Sequence, residues 1–211
     1  MMKMPGDILP NLPVLLVWLD FAGVAVFAVT GALVAARTQQ DVIVTAFFAV
    51  LTGVGGGTVR DLLIGAPVFW IGQRGYLEIC LIAALIVFLF NTGRRAEALL
   101  NWADAVGLSV YCVIGTIKAL TYGAHPVAAA AMGVVTGSVG GIMRDVLGGR
   151  PSVLMQREFY VTSAVAGAGL TVVLIQAGMS QWAAGCIAAV IAFITRAGAI
   201  LFGWKQPIRR G

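Results

Sequence analysis

The sequence predicts an all-α integral membrane protein with seven transmembrane helices, and three observations support this fold class. Of the 211 residues, 60% are hydrophobic and only 11% are charged. A soluble domain carries about 25% charged residues, so this chain has too few of them to cover a surface in water. The apolar residues form seven runs separated by polar turns, and a glycine-rich motif recurs 84 residues after its first occurrence.

The seven apolar runs give the predicted spans, because a helix of about 20 apolar residues crosses the hydrocarbon core of a bilayer. The predicted spans are 15–36, 42–65, 77–90, 102–122, 126–148, 159–176 and 182–204. The second and fifth runs each contain a glycine motif followed by an Arg-Asp pair, so these two helices are expected to be interrupted.

The two motifs belong to an internal duplication. TGVGGGTVRDLLIGAP at 52–67 matches TGSVGGIMRDVLGGRP at 136–151, and the same offset relates Asp20 to Asp104 and Tyr76 to Tyr160. We therefore predict a single membrane domain that comprises repeat one (about 15–91), repeat two (about 102–177), a seventh helix (about 182–204) and a basic tail (205–211).

Each repeat has three spans, so the second repeat must enter the membrane from the opposite face. In such inverted repeats, interrupted helices at equivalent positions mark the substrate or ion path near the midplane. Each glycine run begins roughly 12 residues into its span, or about 18 Å along a helix, which is near mid-bilayer. The pattern predicts that helices two and five are kinked there and line the path.

The glycines permit two interpretations. A broken helix exposes backbone groups that hydrocarbon cannot satisfy, so a break must face protein, water or ions, and the freed carbonyls could coordinate a cation. Alternatively, the glycines only allow neighbouring helices to pack closely. The candidate pore or kink residues are Gly53, Gly55, Gly56, Gly57, Gly137, Gly140 and Gly141.

The intramembrane charges are the second set of candidates. Arg60 and Asp61 are adjacent, and neighbouring residues do not face each other on a helix, so we expect other partners. The duplication suggests pairs across the repeats, Arg60 with Asp145 and Arg144 with Asp61. The alternative is that each charge snorkels to the interface. Together with Lys118, these four residues are candidate pore charges or gate residues.

The remaining polar residues near helix ends have ordinary explanations. Asp20 and Asp104 are expected to cap the first helix of each repeat, with pore lining as the alternative. Glu78 and Glu158 are expected to cap the third helix of each repeat, and His125 to be a turn residue before Pro126.

The distribution of Lys and Arg predicts the orientation. Eight basic residues fall on the carboxyl-terminal side and two on the other, which places the carboxyl terminus in the cytoplasm and the amino terminus outside. The eight are Arg37, Arg94, Arg95, Arg150, Arg157, Lys205, Arg209 and Arg210, and the two are Lys3 and Arg74. The basic excess is thus a topology signal, and we expect no nucleic-acid partner.

The seven spans, the two inverted repeats and the paired motifs GGGTVRD and GGIMRD resemble the prokaryotic branch of the trimeric intracellular cation (TRIC) channel family, over roughly residues 20–204. The resemblance implies a homotrimer in a bacterial or archaeal plasma (inner) membrane. It implies one pore in each protomer, lined by kinked helices two and five, that passes monovalent cations such as potassium and sodium. The second motif departs from the first, because Val139 stands where repeat one has Gly55.

A second function class stays open. Related bacterial sequences have been associated with glycine uptake, so the chain could be a secondary transporter of a small zwitterion such as glycine, with the arginines holding its carboxylate. The sequence contains no HExxH or GxSxG motif, so we expect neither an enzyme nor a metal or cofactor.

Overall fold

The computed structural model describes residues 14–90, 96–152 and 159–204, with side chains from residue 18 onwards, and these residues fold into helices joined by short connections. The helices are α1 Val14–Arg37, α2 Val42–Leu63, α3 Phe69–Gly72, α4 Tyr76–Leu89, α5 Ala96–Thr121, α6 Pro126–Leu147, α7 Tyr160–Gln176 and α8 Gln181–Phe202. The second and fifth predicted helices are α2 and α6.

Seven of the helices overlap the predicted spans, and the exceptions have local causes. The four-residue helix α3 was not predicted, because it lies in the connection after α2 and is too short to show a periodic pattern. Helix α5 begins at Ala96, six residues before its predicted start. The residues AEALL at 96–100 are good helix formers, so the helix extends beyond the apolar run.

The predicted cap by Glu78 is confirmed, and His125, predicted as a turn residue, also caps a helix. Glu78 accepts a hydrogen bond from the Gly75 backbone N–H at 2.7 Å, and the His125 side chain caps α6, which has proline at its first position. The prediction that Asp20 and Asp104 cap their helices is wrong, because both lie well inside α1 and α5. These two carboxylates have other partners, which are described below.

Both glycine motifs lie inside continuous helices. Helix α2 runs without a break through Gly55–57, and α6 runs without a break through Gly140 and Gly141. The predicted interruption of these two helices is therefore wrong at the level of secondary structure. Glycine lowers helix propensity by only about 1 kcal/mol relative to Ala, which tertiary packing can outweigh.

The glycines allow α2 and α6 to cross at very short distance. A Cβ atom added at Gly56 would overlap the Thr136 carbonyl oxygen, and one added at Gly140 would lie 2.5 Å from the Thr52 carbonyl oxygen. The two contacts are reciprocal, since the offset of 84 residues converts one into the other. The backbones of the two motif helices therefore touch directly.

A second reciprocal contact joins the first helices of the two repeats. The rings of Phe27 in α1 and Tyr111 in α5 meet edge to face, with centroids 5.4 Å apart. Gly23 packs under the Tyr111 ring and Gly107 under the Phe27 ring. A contact that maps onto itself when the repeats are exchanged is what a two-fold relation between them requires.

The outer faces of the helices are apolar. Within the described residues, five helices are long and apolar enough to cross a membrane, and α4 and α7 are shorter apolar helices. Large hydrophobic side chains point outward all round the described bundle, among them Ile43, Ile82, Val127, Ile194 and Leu201. A surface of this kind fits lipid and not water, so the chain is a multi-pass membrane protein.

Some of the predicted orientation and capping residues fall outside the described residues. They are Lys3, Arg94, Arg95, Arg157, Glu158, Lys205, Arg209 and Arg210.

The helix crossing predicts the effect of adding one methyl group. Gly56→Ala places a Cβ against the Thr136 backbone, and overpacking of this kind costs about 1–3 kcal/mol. We expect a lower midpoint of thermal unfolding for the purified protein in detergent. Gly169→Ala is the matched control, because Gly169 is also helical but its added Cβ meets nothing within 4 Å. Equal stability of the two variants would contradict the close crossing.

Candidate functional site: two buried charge clusters

Two clusters of charged side chains lie inside the bundle. The first cluster comprises Asp20, Arg60, Asp61, Tyr76 and Lys118, and the second comprises Asp104, Arg144, Asp145, Tyr160 and Arg196. Each cluster has an Arg-Asp pair from a motif helix and an acid from the first helix of the same repeat. Each also has a tyrosine from the third spanning helix of that repeat, which is α4 in repeat one and α7 in repeat two. Each therefore contains two acidic and two basic residues.

Asp61 is the centre of the first cluster. Arg60 donates to Asp61 Oδ1 through Nε at 2.8 Å and through Nη2 at 2.7 Å. Lys118 of α5 places its ammonium 2.8 Å from the same oxygen and 3.0 Å from Oδ2. The backbone N–H of Phe69 also donates to Oδ2, at 3.0 Å. A fully buried carboxylate is thus matched by two cations and an amide.

Helix α3 covers the first cluster. The Phe69 ring lies 5.8 Å from the guanidinium carbon of Arg60 and 5.7 Å from the Lys118 nitrogen, distances at which an aromatic ring attracts a cation. The ring packs against Gly57, and Trp70 donates to the Thr58 hydroxyl at 2.9 Å. Sequence reasoning missed Phe69, and its only sequence signal is its position just after the motif.

Asp20 is held by tyrosines. The Tyr76 hydroxyl donates to Asp20 Oδ2 at 2.5 Å, and the Tyr111 hydroxyl donates to the Asp20 backbone carbonyl at 3.2 Å. The Tyr76 ring stacks on Phe21, with centroids 4.2 Å apart. In the described part of the chain Asp20 makes no ion pair, although it lies within electrostatic range of Arg60.

In the second cluster the arginine bridges two carboxylates. Arg144 donates through Nη1 to Asp104 Oδ1 at 2.6 Å and through Nε to Asp145 Oδ1 at 2.9 Å. The Arg196 guanidinium lies over the Tyr160 ring, 5.2 Å from its centroid. These contacts tie α6 to α5, and α8 to α7.

Gly141 leaves room for the second cluster. An added Cβ would lie 2.9 Å from the Tyr160 hydroxyl and 3.4 Å from Asp104 Oδ1. Gly53 and Gly137 sit instead against the backbones of the first helices, near the carbonyls of Val24 and Leu108. Gly55 faces the Met143 sulfur across the α2–α6 contact.

The predicted cross-repeat pairs are wrong. Each arginine binds the aspartate that follows it, because the long side chain folds back along the helix and brings the guanidinium to its neighbour's carboxylate. The distant partner of Arg144 is Asp104 of its own repeat. Snorkelling is also excluded for Arg60 and Arg144, which are 1% and 2% exposed.

The clusters differ in access and in their second cation. The Lys118 side chain is 23% exposed, so the first cluster opens to the surroundings at this residue. Repeat one has Val34 at the position equivalent to Lys118, and the second cluster takes its extra cation, Arg196, from α8 outside the duplication. Among the described residues no group of three or more His, Cys, Asp and Glu side chains could hold a metal ion.

Comparison with known proteins identifies the family to which this chain belongs. A family model described as "Glycine transporter" matches twice, at residues 17–92 and 101–176. The second match begins and ends 84 residues after the first, which is the offset of the two charge clusters.

Individual relatives cover most of the chain. A UPF0126 membrane protein of Vibrio cholerae is 38% identical over 92% of this chain and 82% of its own. The UPF0126 inner membrane protein YadS of Escherichia coli is 38% identical over 72% of this chain and 75% of its own.

Solved structures share the fold. The TRIC trimeric intracellular cation channel orthologue from Rhodobacter sphaeroides is 42% identical, with a TM-score of 0.88 over 91% of this chain and 100% of that one. Another TRIC cation channel is 26% identical, with a TM-score of 0.81 over 92% and 96% of the two chains. The chain therefore belongs to the prokaryotic TRIC-like family of membrane proteins, the family whose model carries the description of a glycine transporter.

Proposed function

We propose that the protein is a monovalent cation channel that prefers potassium over sodium, with one pore in each protomer of a homotrimer. The pore follows the faces of α2 and α6, which bend at their glycine motifs. The observation that carries this proposal is the charge balance of the two clusters on these helices. The likeness to the Rhodobacter sphaeroides TRIC channel supports it.

Charge balance matters because an unpaired arginine would repel cations. Asp61 neutralises Arg60, and Asp104 and Asp145 face Arg144. An uncompensated positive charge beside the path would raise the barrier to a permeating cation, by about 0.4 kcal/mol at about 10 Å in a water-like dielectric and by more where water is excluded. When the arginines are paired with these aspartates, they hold the helices together, and the electrostatic potential along the path is close to neutral.

The membrane arrangement forms part of the proposal. Seven helices span the inner membrane as two inverted three-helix repeats plus α8, with the amino terminus outside and the carboxyl terminus in the cytoplasm. The first cluster then lies nearer the outer face, where α2 and α5 end, and the second lies nearer the cytoplasm. The partly exposed Lys118 is placed to act as a gate residue on the outer side.

A second candidate function is secondary transport of glycine. The description of the matching family model favours it, since that model covers both repeats. Inverted repeats with a site at their interface are a common transporter architecture. In this function the motif helices exchange access between the two faces of the membrane, and the arginines hold the carboxylate of the substrate.

Single-channel recording distinguishes the two functions. We expect the purified protein in a planar bilayer under a potassium gradient to show discrete openings that reverse near the potassium equilibrium potential, with or without glycine. Silence in the bilayer, together with glycine counterflow in liposomes, would overturn the channel and establish the transporter.

Removing the Lys118 charge gives a further prediction. Lys118→Gln leaves the first cluster with a net charge of −1, which attracts cations. A unit charge about 10 Å from the path in a water-like dielectric changes the ion's energy by about 0.4 kcal/mol, or about twofold in occupancy. We expect a unitary potassium conductance about twofold higher at low salt, where screening is weakest.

Arg37→Gln is the control for that measurement. It removes the same charge from an exposed pair with Glu97 at the other end of α1, so we expect no change in conductance. An equal effect of both substitutions, or none from Lys118→Gln, would show that the first cluster does not border the path.

A further inference from the structure

We infer that Arg60 forms a binding site for the carboxylate of a small molecule, at its Nη1 atom, with Lys118 as the second cation. The inference rests on the proposed placement of the path beside the first cluster. It does not require that the bound molecule be transported.

The primary observation is an unused donor on a buried cation. Arg60 is 1% exposed, and its Nε and Nη2 both donate to Asp61. Within the described residues its Nη1 has no hydrogen-bond partner. A buried donor left without a partner costs about 1–3 kcal/mol, and more when it is charged. A ligand that accepts this bond recovers that cost.

The second cluster shows which ligand chemistry fits the position. There the equivalent atom, Nη1 of Arg144, donates to the carboxylate of Asp104 at 2.6 Å. In the first cluster the equivalent acid is Asp20. Its carboxylate accepts a hydrogen bond from the Tyr76 hydroxyl and makes no ion pair with another described residue. A carboxylate therefore occupies this place in one repeat and is missing from it in the other.

The surroundings of Arg60 favour a small carboxylate. Lys118 shares Asp61 with Arg60, and the Phe69 ring lies within 6 Å of both cations. Hydrogen bonds between a carboxylate and ionised donors are about twice as strong as neutral ones. The Lys118 side chain is 23% exposed, so this cation of the cluster is in contact with the surroundings.

The size of the ligand follows from the same comparison. Asp104 presents a carboxylate on one methylene group, and acetate is the free molecule of that shape. Glycine adds one ammonium group, which Asp20 can attract because it already interacts electrostatically with Arg60 and Lys118. The site should thus accept acetate and glycine and reject methylammonium, which has no carboxylate.

Isothermal titration of the full-length protein in nanodiscs tests the inference, with acetate, glycine and methylammonium as probes. We expect one acetate or glycine per protomer, bound in competition, and no heat from methylammonium. Arg60→Lys keeps the charge but loses the fork of donors, so affinity should fall at least about tenfold. Arg37→Lys, the same change at an exposed arginine outside both clusters, should leave carboxylate affinity unchanged.

Asp104→Ala provides a second readout should Arg60→Lys not fold. It frees Nη1 of Arg144, so we expect the variant to bind two carboxylates per protomer. Acetate should therefore raise the melting temperature of the variant more than that of the wild type, which binds one. No carboxylate binding to the wild type, or equal losses from Arg60→Lys and Arg37→Lys, would overturn the inference.

Binding is measured without voltage or flux, so its failure is separate from failure of the proposed channel. Glycine binding far tighter than acetate binding would identify a zwitterion site that includes Asp20. Equal affinity for acetate and glycine would identify a general carboxylate site. Both outcomes support a carboxylate site on Arg60, and they differ only in the ligand that the cell supplies.

Discussion

The direct backbone contact between α2 and α6 is the constraint on which the rest of the structure depends. Gly56 and Gly140 leave no side chain between the two helices, and each packs on a carbonyl of the other repeat. A membrane offers little hydrophobic drive for helices to associate, so close van der Waals packing of small residues supplies much of the attraction. The contact holds the two Arg-Asp pairs in a reciprocal arrangement on either side of the crossing.

Buried charges are tolerated in this bundle because oppositely charged side chains lie next to each other and form ion pairs. A lone charge at the centre of a bilayer costs about 2.5–3.5 kcal/mol on insertion scales and more in other treatments. Asp61 meets two cations, and Arg144 bridges two carboxylates. Breaking a buried pair by removing one partner costs about 3–5 kcal/mol. The clusters therefore tie together helices that packing alone would leave free to slide.

Much of the fold could be predicted from the sequence, because apolar runs and the duplication are visible in it. The partners of the charges could not. The rule that adjacent residues on a helix do not face each other applies to Cβ directions, whereas the Arg60 guanidinium lies several bonds beyond its Cβ and returns to Asp61. Phe69 was missed because its role comes from the short helix α3, which folds over the cluster. Asp104 was misplaced because α5 begins earlier than its apolar run.

The two clusters differ in the hydrogen bonding of their arginines. Arg144 bridges two acids of its own repeat, while Arg60 keeps its Nη1 donor unused beside the partly exposed Lys118. The two halves of the duplicated architecture thus differ in the bonding of their motif arginines. In the proposed channel, paired charges let cations pass the arginines, and the same pairing leaves the Nη1 donor of Arg60 available to a carboxylate.

The location of the path is the central claim, and anomalous scattering from crystals grown with rubidium in place of potassium tests it directly. The account predicts rubidium peaks inside each protomer, beside α2 and α6 and between the two clusters. Peaks confined to an axis between protomers, with none inside the protomer, would contradict it.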